Sequence, residues 1–226
     1  MPQKPRRRKN NGSKAKYVVA AVLVILAAAA AAWYFYDVMP SGSGTPSNAS
    51  TSSGTSPIYA VLNTSKGSFE IELFPTSAPK TVANFVSLAK SGFYNNPVWH
   101  RIVTGFVIQT GDPLTRNGGG NRALWGTGGS NTSVPLEIDS SLHNDVGYLA
   151  MAHTSTSTSA TSQFYINLAD NTNLDGSYTV FGKVIGNGMN VVDAIASTPV
   201  YTSGQYLDQP ITPVYLVSVQ ILSNGP

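Results

Sequence analysis

The stretch NNPVWHRIVTGFVIQTGD, Asn95 to Asp112, decides how the chain folds. Val98, Trp99, Ile102, Val103, Phe106, Val107 and Ile108 are apolar, and the run reads as a buried strand. Yet His100 and Arg101 sit side by side within it, and Gln109 follows. Arginine keeps its charge in any protein environment, so the strand must offer it water, an acid or a ligand. One reading is an arginine whose stem packs on apolar side chains while its head meets an acid at the surface. Alternation along a strand puts Arg101, Val103, Val107 and Gln109 on one face and Phe106 on the other. Gly105 allows a bulge or bend that would bring Arg101 and Phe106 to a common face.

Around this stretch the chain alternates between strand and helix signals. IYAVLNTSKGSFEIELFP, from Ile58, reads as two strands joined at Ser65-Lys66-Gly67. TSAPKTVANFVSLAKSGFY reads as a helix capped by Ser77 or Thr76, with Pro79 in its first turn and Gly92 at its end. Val82, Phe85, Val86 and Ala89 form its apolar face. A Gly-rich excursion runs from Asn117 to Gly129. Strands are predicted near Gly147–Ala152, Gln163–Leu168 and Thr179–Ile185, a second helix over Asn190–Thr198, and a last strand in VYLVSVQILS. The pattern predicts a mainly β domain, a barrel or sandwich whose open ends are covered by helices.

The N-terminal quarter has a different composition. Residues 1–16 hold seven of the fourteen basic residues and no acid, which leaves the rest of the chain at net −4. The sequence pI near 9.1 is therefore a property of the tail, and a nucleic-acid-binding body is disfavoured. Residues 17–36, YVVAAVLVILAAAAAAWYFY, run 20 residues without a charge, enough for a helix to cross a membrane. Trp33, Tyr34, Phe35 and Tyr36 would form the aromatic belt, and the basic tail should stay in the cytoplasm, leaving the rest outside. The alanine run also offers A-x-A sites, so a cleaved signal peptide and a secreted product are the alternative. Residues 37–57 are Ser, Thr, Gly and Pro-rich, a flexible tether. Residues 58–226 form the globular domain. Asn48, Asn63 and Asn131 open N-glycosylation patterns, which matter only in a cell that glycosylates exported protein.

Several chemistries are disfavoured. There is no cysteine, which excludes thiol catalysis and Cys-based zinc sites. His100, His143 and His153 match no compact metal motif, and no G-x-S-x-G elbow is present. Gly118-Gly119-Gly120 lacks the Gly-Lys-Ser/Thr of a phosphate loop. No metal or cofactor is expected.

VWHRIVTGFVIQTGD resembles the cyclophilin signature, in which aromatic-His-Arg precedes Gly-Phe, a Gln and Gly-Asp. GYLAMAHTSTSTSATSQFYINLADNTNLDGSYTVFGKVIGNGMNVVDAI continues the resemblance in order, and the loop before SATSQFYI looks like the prokaryotic form. The resemblance spans roughly residues 58–222. It implies a closed eight-stranded antiparallel β-barrel capped by two α-helices, here preceded by one transmembrane helix. It also implies peptidyl-prolyl cis-trans isomerase activity on proline-containing polypeptides, by a domain expected to act as a monomer. Arg101 matches the catalytic arginine. Phe106, Val107, Gln109, Gln163, Phe164, Tyr165, Leu174 and Tyr178 match substrate-site positions, and Ala152 and His153 match the backbone-contact segment. His100 belongs to the signature without a proton-transfer role. Gln109 is expected to orient Arg101 or hold peptide backbone.

The chain also departs from the family. Val107 stands where methionine is common, Tyr165 where phenylalanine is usual, and Tyr178 where histidine is frequent. Asn173 occupies the place of a tryptophan that helps bind cyclosporin, so weak cyclosporin binding is expected. A peptide-binding module with incidental catalysis is the main alternative to an enzyme, and a surface structural protein is the third reading.

Overall fold

The computed structural model describes residues 56–154, 157 and 159–222. Tyr17 to Tyr36 and the tether up to residue 55 lie outside the described residues, as does the expectation of a membrane span. Among the described residues, no helix is long and apolar enough to cross a membrane.

Strands β1 (Ile58–Thr64) and β2 (Gly67–Leu73) form the expected hairpin, with Thr64 opposite Gly67. Their alternation buries Ala60, Leu62, Phe69, Ile71 and Leu73 on one face. Helix α1 (Pro79–Lys90) buries Val82, Phe85 and Ala89 as its periodicity predicts. Its cap differs from expectation. Ala78 occupies the N-cap without a side-chain bond. The Glu137 carboxylate instead accepts from Lys80 N at 3.0 Å and Thr81 N at 2.8 Å. A distant carboxylate thus supplies both the acceptors and the negative charge that a helix start favours.

The Asn95–Asp112 stretch is a hairpin rather than a single strand. β3 (Arg101–Val103) and β4 (Val107–Thr110) pair antiparallel, with Arg101 opposite Gln109 and Val103 opposite Val107. Thr104, Gly105 and Phe106 make the connection, closed by Phe106 N donating to Val103 O at 3.0 Å. Gly105 takes φ +71°, a left-handed conformation that glycine adopts at little cost. Phe106 is therefore outside the ladder and free of its alternation.

The remaining strands are β5 (Val134–Pro135), β6 (Tyr148–Met151), β7 (Ser159–Ala160), β8 (Phe164–Asn167), β9 (Val180–Val184) and β10 (Leu216–Ile221). Helix α2 (Met189–Ala196) buries Val192 and Ile195. Eight strands form one antiparallel sheet in the order β10-β1-β2-β9-β6-β8-β4-β3, while β5 and β7 pair separately. The sheet is curled, but its two edges do not close through a ladder as expected. β3 and β10 are the ends of the order, and the gap is spanned by an isolated bridge, Val98 to Tyr215. Pro97 and Pro213 flank this crossing and have no N–H to donate. The outer edge of β3 is met by a loop instead, where Ile102 N donates to Asp208 O at 2.8 Å.

Two apolar clusters lie on opposite faces of this sheet. The larger fills the concave side between the sheet and both helices, and includes Phe85, Trp99, Ile108, Phe164 and Phe181. The smaller gathers Val107, Ala150, Tyr165 and Val180, with Phe106, Leu174 and Tyr178 packed against it. Adjacent residues serve different clusters because successive side chains on a strand point to opposite faces.

Candidate active site

The second cluster forms the floor of a pocket of about 240 Å³ lined by Arg101, Phe106, Val107, Gln109, Ala152, His153, Tyr165, Leu174 and Tyr178. Nine of the eleven residues named from the sequence thus converge. The β3–β4 register sets Arg101 directly across from Gln109. The β4–β8 register then sets Gln109 across from Tyr165. The Arg101 guanidinium lies 5.6 Å from the Phe106 ring centroid. Among the described residues it has no hydrogen-bond or ion-pair partner, so no acid neutralises it as the surface reading required.

Gln109 makes no hydrogen bond to Arg101. Its Nε2 donates to Gln163 Oε1 at 2.8 Å. Gln163 lies beside the pocket, and its own Nε2 donates to the carbonyls of Gly126 at 3.0 Å and Gly128 at 2.6 Å. The loop that carries those carbonyls is held in turn, through its N–H groups, by the fully buried Asp112 carboxylate. It accepts from Gly126 N at 2.6 Å, Gly128 N at 3.3 Å and Leu114 N at 2.8 Å. The Gly-rich excursion is thus a braced loop that fixes which end of the Gln163 amide faces Gln109. Asp112, the last residue of the signature, is thus the brace of this loop.

Phe164 departs from expectation. It is fully buried on the concave side, edge-on to Phe85, Tyr94 and Trp99, and does not line the pocket. Strand alternation gives the reason: Tyr165 beside it faces the pocket, so Phe164 must face the core.

The pocket rim is aromatic. Tyr178 stacks on His153 at 4.4 Å and meets Tyr165 edge-on at 5.8 Å. His153 Nε2 lies 2.8 Å from Ser177 O and Nδ1 2.8 Å from Thr154 O, joining the two sides of the rim. A larger groove of about 580 Å³ continues from the pocket through Gln109, Ala152 and His153. His100 is buried beside the site, and burial pushes its pKa down to about 4 against the pull of the nearby Asp112. It is neutral at neutral pH. Among the described residues, no group of three or more His, Cys, Asp or Glu is placed to hold a metal.

The pocket thus combines an unneutralised guanidinium with an apolar floor. Residues 59–221 match the family described as cyclophilin type peptidyl-prolyl cis-trans isomerase. A peptidyl-prolyl cis-trans isomerase of Acinetobacter baylyi is 42% identical over 167 residues, covering 72% of this chain and 84% of the relative. Peptidyl-prolyl cis-trans isomerase A of Dickeya dadantii is 39% identical over 173 residues, covering 74% and 86%. A cyclophilin type isomerase of Cryptosporidium parvum, crystallised in the presence of the dipeptide Ala-Pro, superposes with a TM-score of 0.65. It is 31% identical and covers 74% of this chain and 99% of its own. The chain belongs to the cyclophilin-type peptidyl-prolyl cis-trans isomerase family.

Proposed function

We propose that this chain accelerates rotation of X–Pro bonds in exported or surface polypeptides, held to the cytoplasmic membrane by residues 17–36 with its isomerase domain outside. The observation that carries the chemistry is the Arg101 guanidinium, which has no hydrogen-bond or ion-pair partner among the described residues, at the edge of an apolar pocket. Rotation needs no nucleophile, base or metal. The obstacle is amide resonance, a barrier of about 18–20 kcal/mol, and the uncatalysed X–Pro switch takes roughly tens to hundreds of seconds. Twisting the bond makes the proline nitrogen pyramidal and gives it a lone pair. Arg101 donates to that lone pair, or to the carbonyl of the proline, more strongly in the twisted state than in the planar one. Only such differential binding accelerates the step. A hundred-thousand-fold gain requires about 7 kcal/mol, more than one hydrogen bond supplies. Phe106, Val107, Tyr165 and Leu174 hold the pyrrolidine ring and exclude water. Arg101→Ala tests the chemistry: it should keep peptide binding and lose exchange. Binding by the parent chain without exchange would favour the peptide-binding module instead.

The location rests on the uncharged run Tyr17 to Tyr36 and the basic residues before it. The loop before SATSQFYI supports a prokaryotic form. Expressed full-length in a bacterium, the chain should stay in the membrane fraction after alkaline carbonate washing. External protease should then digest the isomerase domain in spheroplasts. A shortened, soluble product in the medium or periplasm would show instead that the segment is a cleaved signal.

Asn173 is exposed in a 3-10 turn next to Leu174, and its short side chain offers little apolar surface to a bulky ligand. Cyclosporin should therefore bind more weakly than to tryptophan-bearing members. Isothermal titration against such a member checks this, and equal dissociation constants would refute it.

A further inference from the structure

Tyr165 brings a hydroxyl to the floor of an apolar pocket, and the hydroxyl has a partner. Tyr165 Oη donates to Asn144 Oδ1 at 2.8 Å. Asn144 is fully buried, and both its backbone N and its Nδ2 donate to Asp175 Oδ1, at 2.8 and 2.9 Å. With Nδ2 committed to a carboxylate, only Oδ1 can face Tyr165. Burial pushes the Tyr165 phenol pKa up, so it remains a donor.

The same asparagine reaches the other pocket walls. Asn144 O accepts from Asn171 N at 2.8 Å, and Asn171 O accepts from Leu174 N at 2.9 Å. Asn171 Nδ2 donates to Phe106 O at 3.0 Å and to Asn167 Oδ1 at 2.8 Å. Asn167 Nδ2 in turn donates to Tyr148 O at 3.0 Å and approaches Asn144 Oδ1 at 3.4 Å. Phe106, Tyr165 and Leu174 thus hang from one buried polar network. None of Asn144, Asn167, Asn171 or Asp175 lines the pocket. A fully satisfied buried network fixes one arrangement of the groups around it.

We propose that Asn144, held by Asp175, is a positioning residue that fixes Tyr165 and the Leu174 wall, so that the pocket is preformed for the proline ring. The Tyr165 hydroxyl is consumed by this network, and the ring presents carbon to the substrate. The proposal rests on the proline-pocket reading, and Arg101→Ala is the control for that reading.

A double-mutant cycle on the full-length chain in mild detergent tests it, using a cis-enriched X–Pro peptide. A preformed wall binds ground and transition states alike, so its loss should raise KM and spare kcat. Tyr165→Phe should raise KM about threefold and Asn144→Ala about tenfold. The double variant should match Asn144→Ala alone. Asp175→Asn keeps an acceptor oxygen for Asn144 and should hold KM within about twofold of the parent, whereas Asp175→Ala should resemble Asn144→Ala. If Asn144→Ala fails to fold, the cycle of Tyr165→Phe with Asp175→Ala replaces it. Effects that multiply independently would overturn the proposal, as would a folded Asn144→Ala chain with the parent KM. If Arg101→Ala leaves exchange intact, it is the pocket reading that has failed.

Discussion

Arg101→Ala should lower kcat/KM by about 100- to 1000-fold, the range seen when one preorganised donor to a developing charge is removed. Two observations set this size. The guanidinium has no hydrogen bond to the protein among the described residues, so folding does not use it. It also stands beside a floor of Phe106, Val107 and Tyr165, where water is partly displaced and a charge–dipole contact strengthens. Thermal unfolding should therefore change little, and peptide affinity should fall much less than exchange. Arg101→Lys should restore only part of the rate, because an ammonium lacks the planar fork that reaches two acceptors at once. NMR exchange spectroscopy on an X–Pro peptide reads rate and binding together. Rate and affinity lost in equal measure would make Arg101 a residue that merely holds substrate.

The pocket was legible in the sequence because it is written in a few short blocks. Arg101, Gln109 and Tyr165 lie on paired strands, so once those strands exist, register alone brings the residues together. The hairpin itself was harder to see. Val103, Phe106, Val107 and Ile108 keep the stretch apolar through the turn, and only Gly105 marked it. The open seam between β3 and β10 was not legible for a related reason: periodicity reports which face a strand buries, not whether two distant edges meet. The buried polar network was not legible at all. Asn144 and Asn171 look like ordinary loop residues and Asn167 like the polar end of a strand, and only the fold shows that their amides are satisfied by each other and by Asp175. The helix cap was misjudged because Glu137 lies 56 residues from Thr81, beyond the reach of a local capping pattern.

His143 is paired with Asp175 at 2.8 Å, and the hydrogen bond and charge of Asp175 raise its pKa. The sign follows from that direction. The pairing stabilises the fold fully below the unfolded histidine pKa and is lost as pH rises through the folded one. The His143 side chain is half exposed, so the effect on stability is small. Asp175, whose pKa is lowered chiefly by its bonds from Asn144, keeps those bonds above the ordinary carboxylate range. The network under the pocket is thus insensitive to deprotonation of His143.

Phe164→Ala should be the most destabilising of the single changes considered, at about 3–5 kcal/mol. The ring is fully buried and meets four aromatic neighbours near perpendicular: Phe85 at 5.5 Å, Tyr94 at 5.6 Å, Trp99 at 6.1 Å and Phe181 at 6.3 Å. Edge-to-face pairs add about 0.5–1.5 kcal/mol each beyond burial. Four such neighbours also hold one another in place, so the cavity cannot collapse without moving α1 against the sheet. For a domain of this size each kcal/mol shifts Tm by roughly 2–4 °C, so a fall of roughly 6–20 °C is expected by circular dichroism. Phe164→Leu separates core from site. It should still lower Tm, by less, while KM for an X–Pro peptide stays within about threefold of the parent, because the ring faces away from the pocket. Parent-like Tm with lost peptide affinity would place Phe164 in the binding site after all, and strand alternation at β8 would then have misled. Tyr165→Phe gives the opposite signature one residue along the strand. It conserves volume and removes one buried hydrogen bond, so Tm should fall much less than for Phe164→Ala while KM rises.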